Sequence, residues 1–295
     1  MTRYDAIVIG TGQSGPPLAA RLVAAGMKVA IIERKLFGGT CVNTGCIPTK
    51  TLVASAYAAY LARRAADYGV TIEGTVGVDM RAVKARKDTV SGASRHGVES
   101  WLRGLPDCTV YLGQARFVSP TEVAVGDEVL TSERVFVNVG GRAAVPPIAG
   151  LDQVKYLTNS TMMELDVLPR HLVIIGGSYV GLEFAQIYRR FGSEVTVVEM
   201  APRIIAREDA DISQGVTDIL TGEGIALRTD AKCLAVSRRG RDVAVNVSCT
   251  QGPNEVVGSH LLLAVGRRPN TDDLGLGAAG IEVDARGYIK VDDEL

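Results

Sequence analysis

Ala6-Ile7-Val8-Ile9-Gly10-Thr11-Gly12-Gln13-Ser14-Gly15 is the stretch on which the fold turns. A short apolar run of β-forming residues leads straight into a G-x-G-x-x-G turn, and an alanine-rich helical stretch follows to Ala25. The pattern predicts strand, glycine turn and helix. Without a Cβ, Gly10 permits the tight turn, Gly12 lets backbone N–H groups approach a pyrophosphate, and Gly15 lets helix pack on strand. The helix N-terminus then attracts the phosphates. Pro16 and Pro17 stand in the first helical turn, where N–H groups are free and proline is tolerated. A second strand, Val29-Ala30-Ile31-Ile32, ends at Glu33, whose carboxylate can accept hydrogen bonds from both ribose hydroxyls.

The arrangement recurs downstream. Strand Leu172-Val173-Ile174-Ile175 leads into Gly176-Gly177-Ser178-Tyr179-Val180-Gly181, a helix to Phe191, strand Val195-Thr196-Val197-Val198 and a terminal Glu199. Both fingerprints run 23 positions from first glycine to terminal acid. Two fingerprints of matching length predict two dinucleotides and an α/β fold of two doubly wound, Rossmann-like domains. Ser178 replaces the middle glycine, which crowds the phosphates or re-aims the loop. A carboxylate at Glu199 repels the 2′-phosphate of NADP and accepts the free hydroxyl of NAD, so NAD is expected. NADP stays possible because Arg203 and Arg207 lie nearby and could host that phosphate.

Directly after the first fingerprint comes Gly38-Gly39-Thr40-Cys41-Val42-Asn43-Thr44-Gly45-Cys46-Ile47-Pro48-Thr49-Lys50. Two cysteines five positions apart can close a small disulfide ring without moving the rest of the fold, which suits reversible redox chemistry. The competing readings are two buried structural cysteines or half of a metal site. Two cysteines without two further ligands make a poor zinc site, and no metal is expected. Cys108, Cys233 and Cys249 have no partner spacing and read as ordinary small apolar residues, while His96, His171 and His260 read as structural.

The thirteen-residue cysteine segment resembles the active-site signature of the flavin-dependent pyridine nucleotide-disulfide oxidoreductases, a family that includes dihydrolipoamide dehydrogenase, glutathione reductase and mercuric reductase. The resemblance runs from residue 3 to residue 295. It implies an enzyme with FAD on the first fingerprint and NAD on the second. Electrons would pass from nicotinamide through flavin to a Cys41–Cys46 disulfide, and on to a small-molecule disulfide or metal-ion substrate, or in reverse. Cys41 would exchange with substrate and Cys46 would lie against the flavin, with a helix N-terminus and a nearby cation lowering the reactive thiol's pKa. Lys50, one helical turn past Cys46, would approach the flavin's reactive edge and pair with Glu183. Gly39 and Thr40 belong to the flavin site. Ala115, in Gly113-Gln114-Ala115-Arg116-Phe117, matches a position whose backbone meets the flavin adenine, although alone that segment reads as a loop. Gly141 and Gly266 mark strand-to-glycine crossings between domains. Tyr179 matches a residue that covers the nicotinamide pocket in several relatives; packing is the equal alternative. Val42 and Ser178 lean towards mercuric reductase, and Glu199 towards dihydrolipoamide dehydrogenase.

The expected organisation is a flavin domain with the cysteine pair over 1–150, a nicotinamide domain over 151–272, and a return to the first over 273–295. Full-length relatives continue into a second flavin-contacting segment and a dimer-interface domain, so the chain is expected to be C-terminally incomplete, with homodimers formed by the full-length proteins. Gly287-Tyr288-Ile289-Lys290-Val291-Asp292 resembles the strand that leads into that further segment. The family's acid-base histidine, with a glutamate five positions on, is absent. Its absence motivates a rival reading, a non-catalytic nucleotide-binding fragment.

Composition adds exclusions. A chain of 295 residues that is 46% hydrophobic can bury more than one core. With 32 basic and 33 acidic residues, nothing in the charge calls for nucleic acid or an anionic membrane. Asp5 interrupts the N-terminal apolar run, so no signal peptide is expected, nor any spanning segment. Five scattered cysteines do not resemble a secreted disulfide framework, and a reducing cytoplasm is the expected home.

Overall fold

The computed structural model describes residues 1–248 and 253–295, and only the backbone of Cys233. Cys249 and the Cys233 side chain therefore lie outside the described residues. The chain forms two compact units, Met1–Ile47 with Thr89–Arg142 and Arg267–Leu295, and Pro48–Asp88 with Ala143–Gly266.

The first unit is built on a four-stranded parallel sheet in the order Cys108–Leu112, Val29–Glu33, Ala6–Ile9, Val135–Val137. Ala6–Ile9 and Val29–Glu33 are buried at every residue. Their unbroken apolar runs suit a sheet covered on both faces. Successive side chains alternate between two cores. Ala6, Val8, Val29 and Ile31 pack with Ala19 of the helix Gly15–Ala24 and with Leu102 of the helix Met80–Arg103. Ile7, Ile9, Ala30 and Ile32 pack with Phe117, Val123 and Leu130 from an antiparallel meander, Ala115–Ser119, Glu122–Val125 and Glu128–Thr131.

The second unit repeats this plan. Its parallel sheet runs Ala226–Arg228, Glu194–Val198, His171–Ile175, His260–Leu263. Leu172, Ile174, Val195 and Val197 face the helix Tyr179–Phe191 through Phe184, Tyr188 and Phe191. Val173, Ile175 and Leu263 face a second meander, Lys232–Arg239, Asp242–Ser248 and Glu255–Gly258, through Val236, Val245 and Val256. Pro48–Asp88 groups with this unit because Leu52, Ala56 and Met80 share its core with Leu172 and Phe184. Among the described residues, no helix is long and apolar enough to cross a membrane.

The two fingerprint strands, helices and terminal acids fall where the spacing predicts. Two readings need correction. Ala115–Ser119 is a strand with Ala115 buried, not a loop, because its alternate residues fill the core beneath the sheet. Residues 287–292 form no strand: the Asp284 carboxylate accepts the N–H groups of Arg286 and Tyr288, folding a turn that leaves a single Val283–Ile289 bridge.

Each sheet needs its third fingerprint glycine. A Cβ on Gly15 would overlap the carbonyl of Gly10, and a Cβ on Gly181 the carbonyl of Gly176. Gly92, in the helix Met80–Arg103, has open space instead. Gly15→Ala and Gly181→Ala should each lower stability by about 1–3 kcal/mol in urea titrations, whereas Gly92→Ala should be neutral or stabilising by up to about 1 kcal/mol.

Candidate functional site

The two glycine loops share one hydrogen-bond scheme. Gly10 N–H donates to Ile32 O and Gly176 N–H to Val198 O, each at 2.8 Å. At the next position Thr11 N–H reaches Glu33 Oε2 at 3.2 Å, and Gly177 N–H reaches Glu199 Oε2 at 2.6 Å. The other oxygen of each acid accepts the N–H two residues on, from Lys35 at 2.9 Å and Ala201 at 2.8 Å. The strand-end carboxylates therefore clamp the loops before any ligand arrives. Thr11 Oγ1 adds a third bond, donating to Glu33 Oε2 at 2.5 Å. A carboxylate has about four acceptor positions. Glu33 thus keeps one position free, while Glu199 keeps one on each oxygen.

The loop glycines divide by what surrounds them. A Cβ on Gly10 would overlap Asn138 O, so protein packing dictates that position, as it does Gly15. Nothing lies within 4 Å of a Cβ built on Gly12. The helix Gly15–Ala24 has no acid in its first turn and no side-chain cap, because Ser14 Oγ is engaged with Asn138 Oδ1 at 3.1 Å. These residues fit a dinucleotide phosphate. Ala115 lies in the strand after Gly113, whose N–H donates to Glu33 O at 2.9 Å. Gly141 begins a short strand where a Cβ would meet Arg268 O at 2.8 Å.

The cysteine segment packs against this cradle: a Cβ on Gly39 would stand 2.8 Å from Gly12 Cα. Gly38 and Gly39 have φ of +87° and +60°, which only glycine adopts without strain. They start the helix Gly39–Asn43, braced by Asn43 Nδ2 donating to Phe37 O and Gly39 O at 2.8 and 2.9 Å. Cys41 and Cys46 are both free thiols, Cys46 exposed and Cys41 half-buried. Burial pushes the Cys41 thiol up, and the Cys46 side chain acts in the same direction. Backbone N–H groups of Cys46 and Ile47, at the start of the helix Cys46–Arg63, pull it down but do not prevail. The expected lowering is therefore reversed, because desolvation outweighs the two helix N–H groups. Cys108, in the strand Cys108–Leu112, is also raised by burial.

In the second unit, Gly176 would place a Cβ on Ala264 O. Ser178 is extended, at φ −103° and ψ −178°, and precedes the helix Tyr179–Phe191 without capping it by its side chain. Val180 and Gly181 follow in the first turn, which again carries no acid. Tyr179 is 56% exposed and its hydroxyl donates to Glu208 Oε1, so it is no core residue. Arg203 Nη2 is bound to Ala206 O and Glu208 O at 3.3 and 3.0 Å, within its own loop. Gly266, at φ +118°, accepts from Ala144 N–H at 2.9 Å. Lys50 Nζ forms an ion pair with Glu183 Oε1, uniting two residues 133 positions apart. An exposed pair of this kind contributes about 1 kcal/mol or less. Its effect is to fix the ammonium's position. His171, buried and bonded to Thr196 Oγ1 at 2.9 Å, is structural. Among the described residues, no group of three or more His, Cys, Asp or Glu side chains could hold a metal ion.

Two clamped glycine loops, one beside a cysteine pair, define a protein with two Rossmann-type units. The chain belongs to the pyridine nucleotide-disulphide oxidoreductase family, whose model matches residues 4–295. Mercuric reductase of Streptomyces lividans is 37% identical over 299 residues, covering 100% of this chain and 63% of that protein. Dihydrolipoyl dehydrogenase of Thermus scotoductus is 35% identical over 299 residues, covering 100% and 64%. The Cu(II) complex of HOCl-induced flavoprotein disulfide reductase RclA from Escherichia coli superposes with a TM-score of 0.87 at 34% identity, covering 99% of this chain and 63% of that one. The chain therefore spans slightly under two thirds of the length of these relatives.

Several participants had no signal in a single sequence. Thr11 sits at an unconstrained position of the fingerprint, and Asn138 and Glu208 serve loops far from them in sequence. Asn43 lies within the cysteine segment, where its bracing role is visible only in three dimensions. For the reduced chain, alkylation of Cys41 by iodoacetamide should rise with a midpoint above that of an ordinary thiol. Cys46→Ala, which removes the neighbouring side chain but leaves the burial, should move that midpoint down. An unchanged midpoint would contradict the part assigned to the Cys46 side chain and leave burial as the cause.

Proposed function

We propose that the chain carries the flavin and nicotinamide sites of an FAD-dependent, NAD(P)H-linked disulfide oxidoreductase, with Cys41 and Cys46 as its redox pair. The observation that carries this reading is the contact of the cysteine segment, through Gly39, with the open cradle at Gly12. The unit built on the first fingerprint is assigned to FAD and the other to the nicotinamide. Bound FAD would supply two-electron carriage between a reduced nicotinamide and the cysteine pair.

The chain's own residues divide the remaining work. Gly10, Gly12 and Gly15 shape the phosphate cradle, and Glu33 offers its one free acceptor position to a ribose. Gly39, Thr40, Ala115 and Gly141 complete that site, with Lys50 and Glu183 as the paired cation and carboxylate that the family resemblance assigns to the flavin. Gly176, Gly177, Ser178, Val180, Gly181 and Gly266 form the second loop, and Tyr179, tied to Glu208, stands beside it. Closing the dithiol to the disulfide releases two electrons and two protons; opening it takes them back. The half-buried Cys41 keeps its proton to higher pH than a free thiol, so exchange through Cys41 calls for a base. Two adjacent sulfurs suit either of two substrate classes, a small disulfide by thiol–disulfide exchange or a soft metal ion. The names of the mercuric reductase and dihydrolipoyl dehydrogenase relatives support these two classes.

NAD is assigned over NADP on two grounds. Glu199 keeps a free acceptor position on each oxygen for the ribose hydroxyls. Arg203, a candidate for the 2′-phosphate, spends its Nη2 on backbone carbonyls of its own loop.

The purified chain, supplied with FAD, should retain flavin whose visible absorption bleaches on anaerobic addition of NADH. Gly12→Ala should weaken FAD binding at least about 10-fold through steric crowding while leaving the urea midpoint unchanged. Absence of retained flavin would sink the catalytic reading and favour a fragment that binds nucleotides without turnover. Glu199→Gln, which removes the charge, should shift the NADPH-to-NADH ratio of kcat/KM towards NADPH by about 10-fold.

A further inference from the structure

A cleft of about 580 Å³ opens in the first unit, lined by the strand Ala115–Ser119 and by the stretch 268–287. Its volume lies in the range of small-molecule sites, about 300–1,000 Å³. The backbone fixes its walls. Phe117 N–H donates to Leu274 O at 2.8 Å, and Gly275, at φ +68°, lets the two segments touch, since a Cβ there would stand 2.8 Å from Phe117 O. Thr271 Oγ1 donates to Gly287 O at 2.6 Å, which ties the far end of the stretch to its start. None of the lining residues belongs to a glycine loop or to the cysteine segment.

The lining has two characters. Phe117, Leu276, Ile281 and Val283 form an apolar wall, with Phe117 and Leu276 rooted in the core beneath the sheet. Arg116, Arg268 and Arg286 bring positive charge to the same cleft. The acids beside them are already committed. Asp272 takes both Arg142 and Arg268, at 2.6 and 2.8 Å, and Asp273 takes Arg34 at 2.8 Å. Asp284 stands 3.5 Å from Arg286 Nε and also accepts two backbone N–H groups of its own turn. Arg116 has no hydrogen-bonding or ionic partner among the described residues. Its stem lies over Gly275, where a Cβ would stand 2.9 Å from Arg116 Cγ and 3.2 Å from Nε. A guanidinium with its donors unspent binds an anionic group through a planar fork, and its face stacks on a flat apolar body.

We infer that this cleft is a binding site for a small organic anion, whose carboxylate, phosphate or sulfonate head is held by Arg116 and whose apolar body lies on Leu276, Ile281 and Val283. Arg268, sharing one carboxylate with Arg142, adds to the field that draws the head in. The inference concerns residues outside both nucleotide loops and does not rest on the flavin reading.

The test titrates 2-naphthyl phosphate into the full chain by calorimetry. One equivalent should bind, more weakly as sodium chloride is added. Arg116→Met should lower the affinity about 10-fold or more, and Arg116→Lys less, because it keeps the charge without the fork. Val283→Glu sets a carboxylate in the apolar wall at a 42% exposed position and should cost at least as much. Arg241→Met removes an exposed cation from the second unit and should change nothing. Inorganic phosphate, which buries no apolar surface, should bind at least about 10-fold more weakly than the probe. Absence of saturable binding by the unaltered chain would overturn the inference, as would affinity indifferent to both Arg116→Met and Val283→Glu. Inorganic phosphate binding as tightly as the probe would reduce the site to a bare cationic patch and overturn the assigned ligand class. Displacement of the probe by FAD would place it in a nucleotide loop and overturn the assigned location, whatever becomes of the flavin reading.

Discussion

The rest of the structure depends on one repeated interaction, the hydrogen bond from the second loop residue's N–H to the carboxylate ending the second strand. Burying a carboxylate is costly unless its oxygens are satisfied, and Glu33 is 9% exposed. Backbone N–H groups of Thr11 and Lys35, with the Thr11 hydroxyl, satisfy it locally. The same bonds fix the loop against the strand end, so the turn enters the helix at a defined angle. Loop, helix N-terminus and the free acceptor position are thereby set by a single side chain. Glu199 performs this in the second unit with Gly177 and Ala201.

Because the scheme is used twice, the differences between the copies are informative. After each second strand the chain returns to bond the second loop residue's carbonyl. Gly38 N–H donates to Thr11 O at 3.0 Å in one copy, and Ile205 N–H to Gly177 O at 2.8 Å in the other. The first copy makes this return with glycines at positive φ; the second makes it with a β-branched residue at φ +40°. Such a residue is strained there and persists only where its surroundings hold it. Ile205 is held by its own N–H bond, by Glu208 N–H donating to its carbonyl at 2.9 Å, and by a side chain only 7% exposed. Ile205 thus closes the loop with its backbone and fills the core with its side chain. The first copy cannot do both, since a Cβ on Gly38 would collide with Val42, two residues before which the chain places Thr40 against Arg267. Glycine there keeps the segment thin enough to bring Cys41 to the cradle.

This contrast explains what a single sequence reveals. Both fingerprints, their strands and their terminal acids are legible, because fully buried strands read as continuous apolar runs and a glycine whose Cβ would strike a carbonyl admits no substitute. The cysteine pair is legible from its spacing beside the first loop. The two meanders are not, because short half-buried strands such as Glu122–Val125 carry alternation too brief to separate from a loop. The grouping of Pro48–Asp88 with the second core rests on Leu52, Ala56 and Met80, whose partners are more than 70 residues away along the chain. Thr11 is invisible for the same reason: its part is defined by what it touches.

The Cys41 thiol shows where motif reading misleads even when the elements are right. A thiol at a helix start invites the conclusion that its proton is easily lost, and the N–H groups of Cys46 and Ile47 do favour the thiolate. Two hydrogen bonds at a helix end are nevertheless offset by withdrawal of the sulfur from water and by a second sulfur beside it that disfavours a negative charge. The balance is set by depth and neighbours, neither of which spacing encodes. It also has a chemical consequence. A thiol that holds its proton more tightly gives a stronger nucleophile once deprotonated, but a smaller fraction of it at any given pH. Control of any exchange at Cys41 then passes from the sulfur itself to whatever base removes the proton.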